Sequence, residues 1–122
     1  MILRTLATGL LLAAGPAFAD EQGEPDKGCD GSTYEMVQCL KDKTDWWDKR
    51  LNTAYQQKLK EAEPKQREQL RKAQRAWVQF RDANCLYYDL GEGTIARIDA
   101  GDCMYRMTKS RTEELQDAGE RK

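Results

Sequence analysis

The sequence of 122 residues contains no histidine and only two serines, Ser32 and Ser110. Without histidine, the usual pairs of nucleophile and base cannot be assembled, and the commonest partner ligand of cysteine in metal sites is missing. The chain also lacks a glycine-rich phosphate-binding loop. Carboxylates are plentiful, but they are scattered over highly charged segments, where a solvated role is the expected one. We therefore predict a protein that is not an enzyme and that has no cofactor and no metal.

An excess of charge of one sign is lacking as well. The chain has 20 lysine and arginine residues against 21 aspartate and glutamate residues, which gives a formal net charge of −1. A nucleic acid or an anionic membrane surface is usually held by a large basic excess. We therefore expect no nucleic-acid partner.

The N-terminal segment has the pattern of a secretory signal peptide. Arg4 precedes an apolar run over residues 6–14, and Ala17-Phe18-Ala19 supplies the small residues that signal peptidase requires. The run is shorter than the roughly 20 residues that cross a bilayer. We predict a signal peptide over residues 1–19, no stable membrane insertion after its cleavage, and a mature protein that begins at Asp20 and is periplasmic or secreted.

The four cysteines all lie in the part predicted to be exported. An even number of cysteines in an oxidising compartment is typical of a disulfide framework, so two bridges are expected. Sequence alone allows three connectivities. The four residues are Cys29, Cys39, Cys85 and Cys103.

The apolar residues after residue 32 recur with the spacing of α-helices. Residues 20–32 read as an extended arm, and a first helix is expected from about Thr33, with Ser32 or Thr33 as its cap, to about residue 62. Pro64 then marks a boundary before a second helix over residues 65–88. Residues 89–102, with three glycines, read as a loop before a third helix that Asp102 caps and that ends near residue 118. Residues 119–122 are expected to fray.

Two long helices joined by a few residues are expected to pack as an antiparallel hairpin. The predicted fold is therefore all-α: a helical hairpin plus a third, shorter helix over residues 33–118, cross-linked by two disulfides. In a hairpin, Cys39 and Cys85 lie at similar heights on either side of Pro64, which favours this pair and leaves Cys29 for Cys103. The inward stripe of the second helix and the aromatic seam of the hairpin are predicted to contain Leu70, Ala73, Trp77, Phe80 and Tyr87, with Trp47 and Tyr55 opposite.

Several polar residues lie beside these apolar stripes. Asp48 and Asn52 flank Leu51, and if such groups approach the seam they must be hydrogen-bonded there. Arg111 of the third helix is the expected counter-charge for Asp48 or Asp82. We predict a structural network that sets the helix register, with a ligand-binding role as the alternative. Its members are Asp48, Asn52, Gln74, Arg81, Asp82, Thr108 and Arg111.

These residues form three motifs: D-x-x-L-N-x-x-Y from Asp48, Q-x-x-W-x-x-F-R-D-x-x-C from Gln74, and C-x-x-x-x-T-x-x-R-x-x-x-L from Cys103. With them the chain resembles the LprI-type lysozyme-inhibitor N-terminal domain family of bacterial envelope proteins, from about Cys29 to Leu115. The resemblance implies a small, helical, disulfide-bonded domain whose protein partner is a lysozyme. The alternative is an envelope adaptor or immunity-type protein with another partner, which the nearly balanced charge favours.

An inhibitor of a basic lysozyme is expected to present a protruding loop with acidic groups. In this sequence the candidate is the loop after the second helix, with Asp89, Glu92 and Asp99. The alternative is a plain connector between two helices.

Overall fold

In a computed structural model, residues 23–25 and 28–117 of the chain are described, and they contain three helices and no strand. The helices are α1 (Thr33–Glu61), α2 (Pro64–Asp89) and α3 (Ile95–Asp117). This confirms the all-α class. The predicted signal peptide, residues 20–22 and 26–27 of the predicted arm, and residues 118–122 lie outside the described residues.

The start of α1 follows from a capping box. The Ser32 hydroxyl accepts a hydrogen bond from the Glu35 amide at 3.2 Å, and the Glu35 carboxylate accepts one from the Ser32 amide at 3.0 Å. Gly31 has a φ of 100°, a conformation that favours glycine. The arm turns here, and Cys29 bonds to Cys39 in the second turn of α1.

The arm also contacts α3. The Tyr105 hydroxyl donates a hydrogen bond to the Glu24 carboxylate. Partial burial, and secondarily this hydrogen bond, raise the pKa of Tyr105 to about 12.

The corner between α1 and α2 is held by one side chain. Pro64 is the first residue of α2, where its missing N–H costs nothing. The Arg67 guanidinium donates to the carbonyl oxygens of Leu59 at 2.9 Å and Ala62 at 3.0 Å. These carbonyls have no partner within α1, so Arg67 completes the C-terminus of the helix.

The third helix runs parallel to α1 along its length. Near its start, a Cβ on Gly101 would lie 3.3 Å from a Leu40 methyl, and toward its end Leu115 packs with Leu51 and Ala54. Gly101 therefore lies where the two helices approach closely, a position that a larger residue would crowd.

The same helix runs antiparallel to α2, and this arrangement corrects the predicted packing of α1 directly on α2. Cys85 of α2 bonds to Cys103, and Gln74 contacts Arg111. Within the described part of the chain, α1 and α2 both pack on α3 and scarcely on each other. Their directions are opposed, as predicted, but α3 supplies the surface that each was expected to find on the other.

The disulfides are Cys29–Cys39 and Cys85–Cys103, and the four described cysteines are all paired. Two bridges were predicted correctly, but the favoured pairing of Cys39 with Cys85 and of Cys29 with Cys103 is wrong. Similar heights favour a bridge only when the two helices are neighbours. Because α3 lies between them, Cys85 reaches α3 instead, and Cys39 is left for the arm.

The buried core is small. Leu51 is 2 % exposed and packs with Ala54 and Leu115, against the half-buried Leu70 and Trp77. The predicted inward positions Ala73, Phe80 and Tyr87 are wrong, since all three are exposed. The reason is that α2 carries two apolar stripes, and α3 covers only the one with Leu70 and Trp77.

The third helix begins at Ile95, seven residues before the predicted cap Asp102. Three glycines in residues 89–102 indicated a loop, but Gly101 lies inside the helix where α1 approaches closely. Asp102 lies in the helix interior and forms an ion pair with Arg106 at 2.7 Å. The connection between α2 and α3 therefore shortens to residues 90–94.

Candidate partner-binding site

The turn that joins α2 to α3, residues 90–94, is a tight connection. The Gly91 amide donates to the Tyr88 carbonyl oxygen at 3.0 Å, and the Ala96 amide donates to that of Gly93 at 3.4 Å. Gly93 has a φ of 77°, which other residues rarely adopt. We call this turn, with the adjacent ends of α2 and α3, the α2–α3 corner.

The three carboxylates of the predicted loop do not share one site. Glu92 lies in the turn, whereas Asp89 is the last residue of α2 and Asp99 lies in the second turn of α3. Glu92 and Asp99 border one cleft of about 460 Å³. Asp89 borders a different cleft of about 490 Å³, beside Arg97. Glu92 and Asp99 therefore lie together on one cleft of the corner, and Asp89 lies on another.

Exposed apolar side chains surround the two carboxylates. Tyr87 is 74 % exposed, Leu90 76 % and Ile95 57 %. The Tyr87 and Tyr88 rings contact edge to face, with 5.3 Å between their centroids. Large exposed apolar groups rimmed by charge are typical of contact surfaces. These residues were missed because Tyr87 was predicted to face the core, and Leu90 and Ile95 were assigned to a loop.

The Cys85–Cys103 disulfide joins the two helices that form the α2–α3 corner. Cys85 and Cys103 are 3 % and 2 % exposed, and their bond joins α2 to α3. Beside it, the Asn84 amide lies 3.4 Å from the Met107 sulfur. A surface held in place before binding loses less conformational entropy when a partner docks.

The family motifs place their polar residues mostly between helices. The Arg111 guanidinium donates to the Gln74 side-chain oxygen of α2 at 3.1 Å and lies 2.9 Å from the Glu114 carboxylate. Gln74 is 9 % exposed, so this hydrogen bond satisfies a buried group. Arg111 therefore joins α2 to α3 and does not pair with Asp48 or Asp82, which corrects that expectation.

The other motif residues divide into smaller groups. Arg81 forms an ion pair with Asp82 at 3.0 Å, and its guanidinium carbon lies 5.0 Å from the centre of the Trp77 ring. Among the residues that the structure describes, no hydrogen bond links Asp48 or Asn52 to this network. The register-setting role of the network stays a prediction.

Two threonines fill the contact between α1 and α3. Thr108 and Thr112 are fully buried, and the Thr112 hydroxyl lies 2.8 Å from the Thr108 carbonyl oxygen and 3.4 Å from that of Trp47. Within the described part of the chain, the Thr108 hydroxyl and the Trp47 indole N–H have no hydrogen-bond partner. Thr112 was not among the predicted residues, although it follows the motif residue Thr108 by one helical turn.

Residues 23–25 and 28–117 contain no group of three or more His, Cys, Asp or Glu side chains placed to hold a metal ion. Over the same residues, every helix falls short of the length and apolar character that crossing a membrane demands.

The fold and the motifs together define a small helical domain in which two disulfides and interhelical polar contacts supplement a thin core. Residues 26–115 match the family described as lysozyme inhibitor LprI, and the chain belongs to this family. The resemblance drawn from the motifs is thereby confirmed. Comparison with curated proteins and with solved structures finds no match. Family membership indicates a lysozyme-inhibitor-like, protein-binding role and not a catalytic one. Disulfides of this kind are typical of the cell envelope and the exterior.

Proposed function

We propose that this protein is a lysozyme inhibitor of the bacterial periplasm or of the secreted fraction, exported by the signal peptide over residues 1–19. Membership of the lysozyme inhibitor LprI family over residues 26–115 is the observation that carries the proposal. The protein protects the cell wall by occupying a lysozyme and not by a reaction of its own.

The α2–α3 corner is the proposed contact surface. Lysozymes of the common animal type are strongly basic around a cleft that holds two catalytic carboxyl groups. Glu92 and Asp99, on one cleft of the corner, attract such a surface and speed the encounter. Ile95, which is 57 % exposed beside them, and Tyr88 supply apolar area that loses its water on docking.

The proposal is tested with the double variant Glu92→Gln, Asp99→Asn. Exposed ion pairs contribute about 0.2–1 kcal/mol each, so we expect the affinity for a basic lysozyme to fall roughly 2- to 30-fold. The fall is expected chiefly in the association rate and at low salt. The measurements are cell-wall lysis, co-elution and association kinetics with lysozymes of several types.

The matched control is Glu113→Gln, an exposed carboxylate roughly 20 Å farther along α3. We expect this variant to inhibit as the unchanged protein does. Inhibition that is the same in all three proteins would remove the corner as the contact surface. A protein that binds no lysozyme of any type would remove the proposed function itself.

In that event the second candidate takes its place: an envelope adaptor or immunity-type protein that binds another partner. The nearly balanced charge, 20 basic against 21 acidic residues, favours it, because a dedicated ligand of a basic enzyme is usually more acidic.

A further inference from the structure

The outer face of α2 carries an apolar stripe that no described part of the chain covers. Its residues are spaced alternately by three and four positions, which is the heptad spacing of helices that pair along their length. They are Ala73, Ala76, Phe80, Ala83, Tyr87 and Leu90, all exposed. We call this set the outer stripe; it lies apart from Gln74, Trp77 and Cys85, which face α3.

The outer stripe is large for a chain of this size. Phe80 is 61 % exposed and Tyr87 74 %, so at about 200 Å² per aromatic side chain the two expose roughly 250 Å². The six positions span about 25 Å of helix. If two such stripes pair, and Leu90 and the aliphatic parts of the flanking side chains are included, the surface buried is about 1,000 Å² in total. This area is at the lower end of the range for specific interfaces.

The order of small and large residues in the outer stripe is self-complementary. When two copies of α2 cross in opposite directions midway between positions 81 and 82, every large residue meets an alanine. The layers are Phe80 with Ala83, Ala76 with Tyr87, and Ala73 with Leu90, each formed twice. A parallel pair in register would set ring against ring and alanine against alanine, leaving layers overpacked or empty.

The charges along α2 match the same orientation. The first half of the helix is basic: the exposed Lys72 lies on the edge of the outer stripe, and the exposed Arg75 lies farther round the helix. The other end carries the exposed acids Asp89 and Glu92. In the antiparallel pair, position 72 of one copy is level with position 91 of the other, so the basic half of each helix lies along the acidic end of its partner. A parallel pair would bring like charges together.

From this pattern we infer that a second copy of this chain covers the outer stripe, in an antiparallel dimer of α2 helices centred between Arg81 and Asp82. The inference does not depend on the proposed function. Tyr87 and Leu90 border both the outer stripe and the α2–α3 corner, so the variants that test the dimer lie at its centre, away from Glu92 and Asp99.

The test uses the protein expressed with its own N-terminal segment and purified with both disulfides formed. Sedimentation and light scattering from about 1 μM to 1 mM are expected to show a monomer converting to twice its mass. Phe80→Ala empties the two central layers, and Ala83→Phe overfills them. Each is expected to weaken the dimer about a hundredfold or more.

The decisive variant combines Phe80→Ala with Ala83→Phe. Because this exchange again sets a ring against an alanine, it is expected to restore the dimer to within about tenfold of the unchanged protein. Ser110→Glu, at an exposed position of α3, is the control for a new surface carboxylate and leaves the dimer intact, whereas Ala83→Glu abolishes it. Circular dichroism and thiol titration confirm that every variant is folded.

The inference is overturned by a protein that stays monomeric at all these concentrations, by a dimer that survives Ala83→Glu, or by an exchange variant that folds but fails to dimerise. A monomer whose outer stripe becomes shielded from solvent only when lysozyme is added would identify lysozyme as the occupant instead. Loss of lysozyme inhibition with an intact dimer would count against the proposed function alone.

Discussion

Removing the bridge between Cys85 and Cys103, by replacing both with alanine, is expected to lower the stability of the whole fold. Both residues are buried, at 3 % and 2 % exposed, and their bond joins α2 to α3. Because α2 and α1 are held together mainly through α3, this bridge constrains the contact on which α2 depends. Alanine is chosen because serine would bury a hydroxyl group.

The magnitude follows from the loop that the bridge closes. A separation of 18 residues corresponds, in the chain-entropy account, to about 3 kcal/mol of unfolding free energy at 25 °C. For a domain of this size each 1 kcal/mol shifts the melting temperature by about 4–8 °C, so a fall of roughly 12–25 °C is expected. The loss is a large share of the roughly 5–15 kcal/mol that small domains have.

The matched control replaces Cys29 and Cys39 with alanine. Their separation is 10 residues, for which the same relation gives about 2.7 kcal/mol as a ceiling. This bridge ties the arm to the first turns of α1, a segment that can open while the rest stays folded, so less than half of that figure is expected.

The assays are urea denaturation followed by circular dichroism, with thiol titration in denaturant. With the bridges in the observed pairing, neither double variant has a free thiol, whereas replacing Cys39 and Cys85 together leaves two. Free thiols in the variant that lacks Cys85 and Cys103 would refute the pairing. If removing either bridge lowered the unfolding free energy by the same amount, the view that α3 holds the fold together would be refuted.

Three further outcomes are expected. The Tyr105 phenol should ionise near pH 12, read by ultraviolet difference spectra against Tyr105→Phe, and nearer its ordinary pKa in Glu24→Gln. Because its folded pKa is raised, the stability it contributes is present below about pH 10 and is lost as the pH rises through about 12; a midpoint near 10 in the unchanged protein would contradict this. Arg111→Met should cost about 1–3 kcal/mol in urea denaturation, since it leaves the buried Gln74 oxygen without its donor; no loss would refute an interhelical role. Gly101→Val should lower the unfolding free energy by about 1–3 kcal/mol, because the larger side chain crowds α1. An unchanged midpoint of urea denaturation would show that the two helices separate freely there.

The candidate site could be predicted only in part. The acidic groups after the second helix were selected because a loop with carboxylates suits a basic partner, and their role in binding stays a prediction. Their division between two clefts depends on α3 beginning at Ile95, whereas the three glycines of residues 89–102 had indicated a loop there. The exposed Tyr87 was missed because helical spacing shows that a stripe is apolar and does not show which neighbour covers it.

By itself, the sequence determined the family and the limits of α1 and α2. The Ser32 cap and Pro64 act through contacts within one helical turn, and the motifs lie at fixed spacing. Only the tertiary structure decided that α3 lies between the other two helices, and with it the disulfide partners and the face of α2 left uncovered. These depend on which helices become neighbours, and three helices with apolar stripes permit more than one arrangement until all of them are packed together.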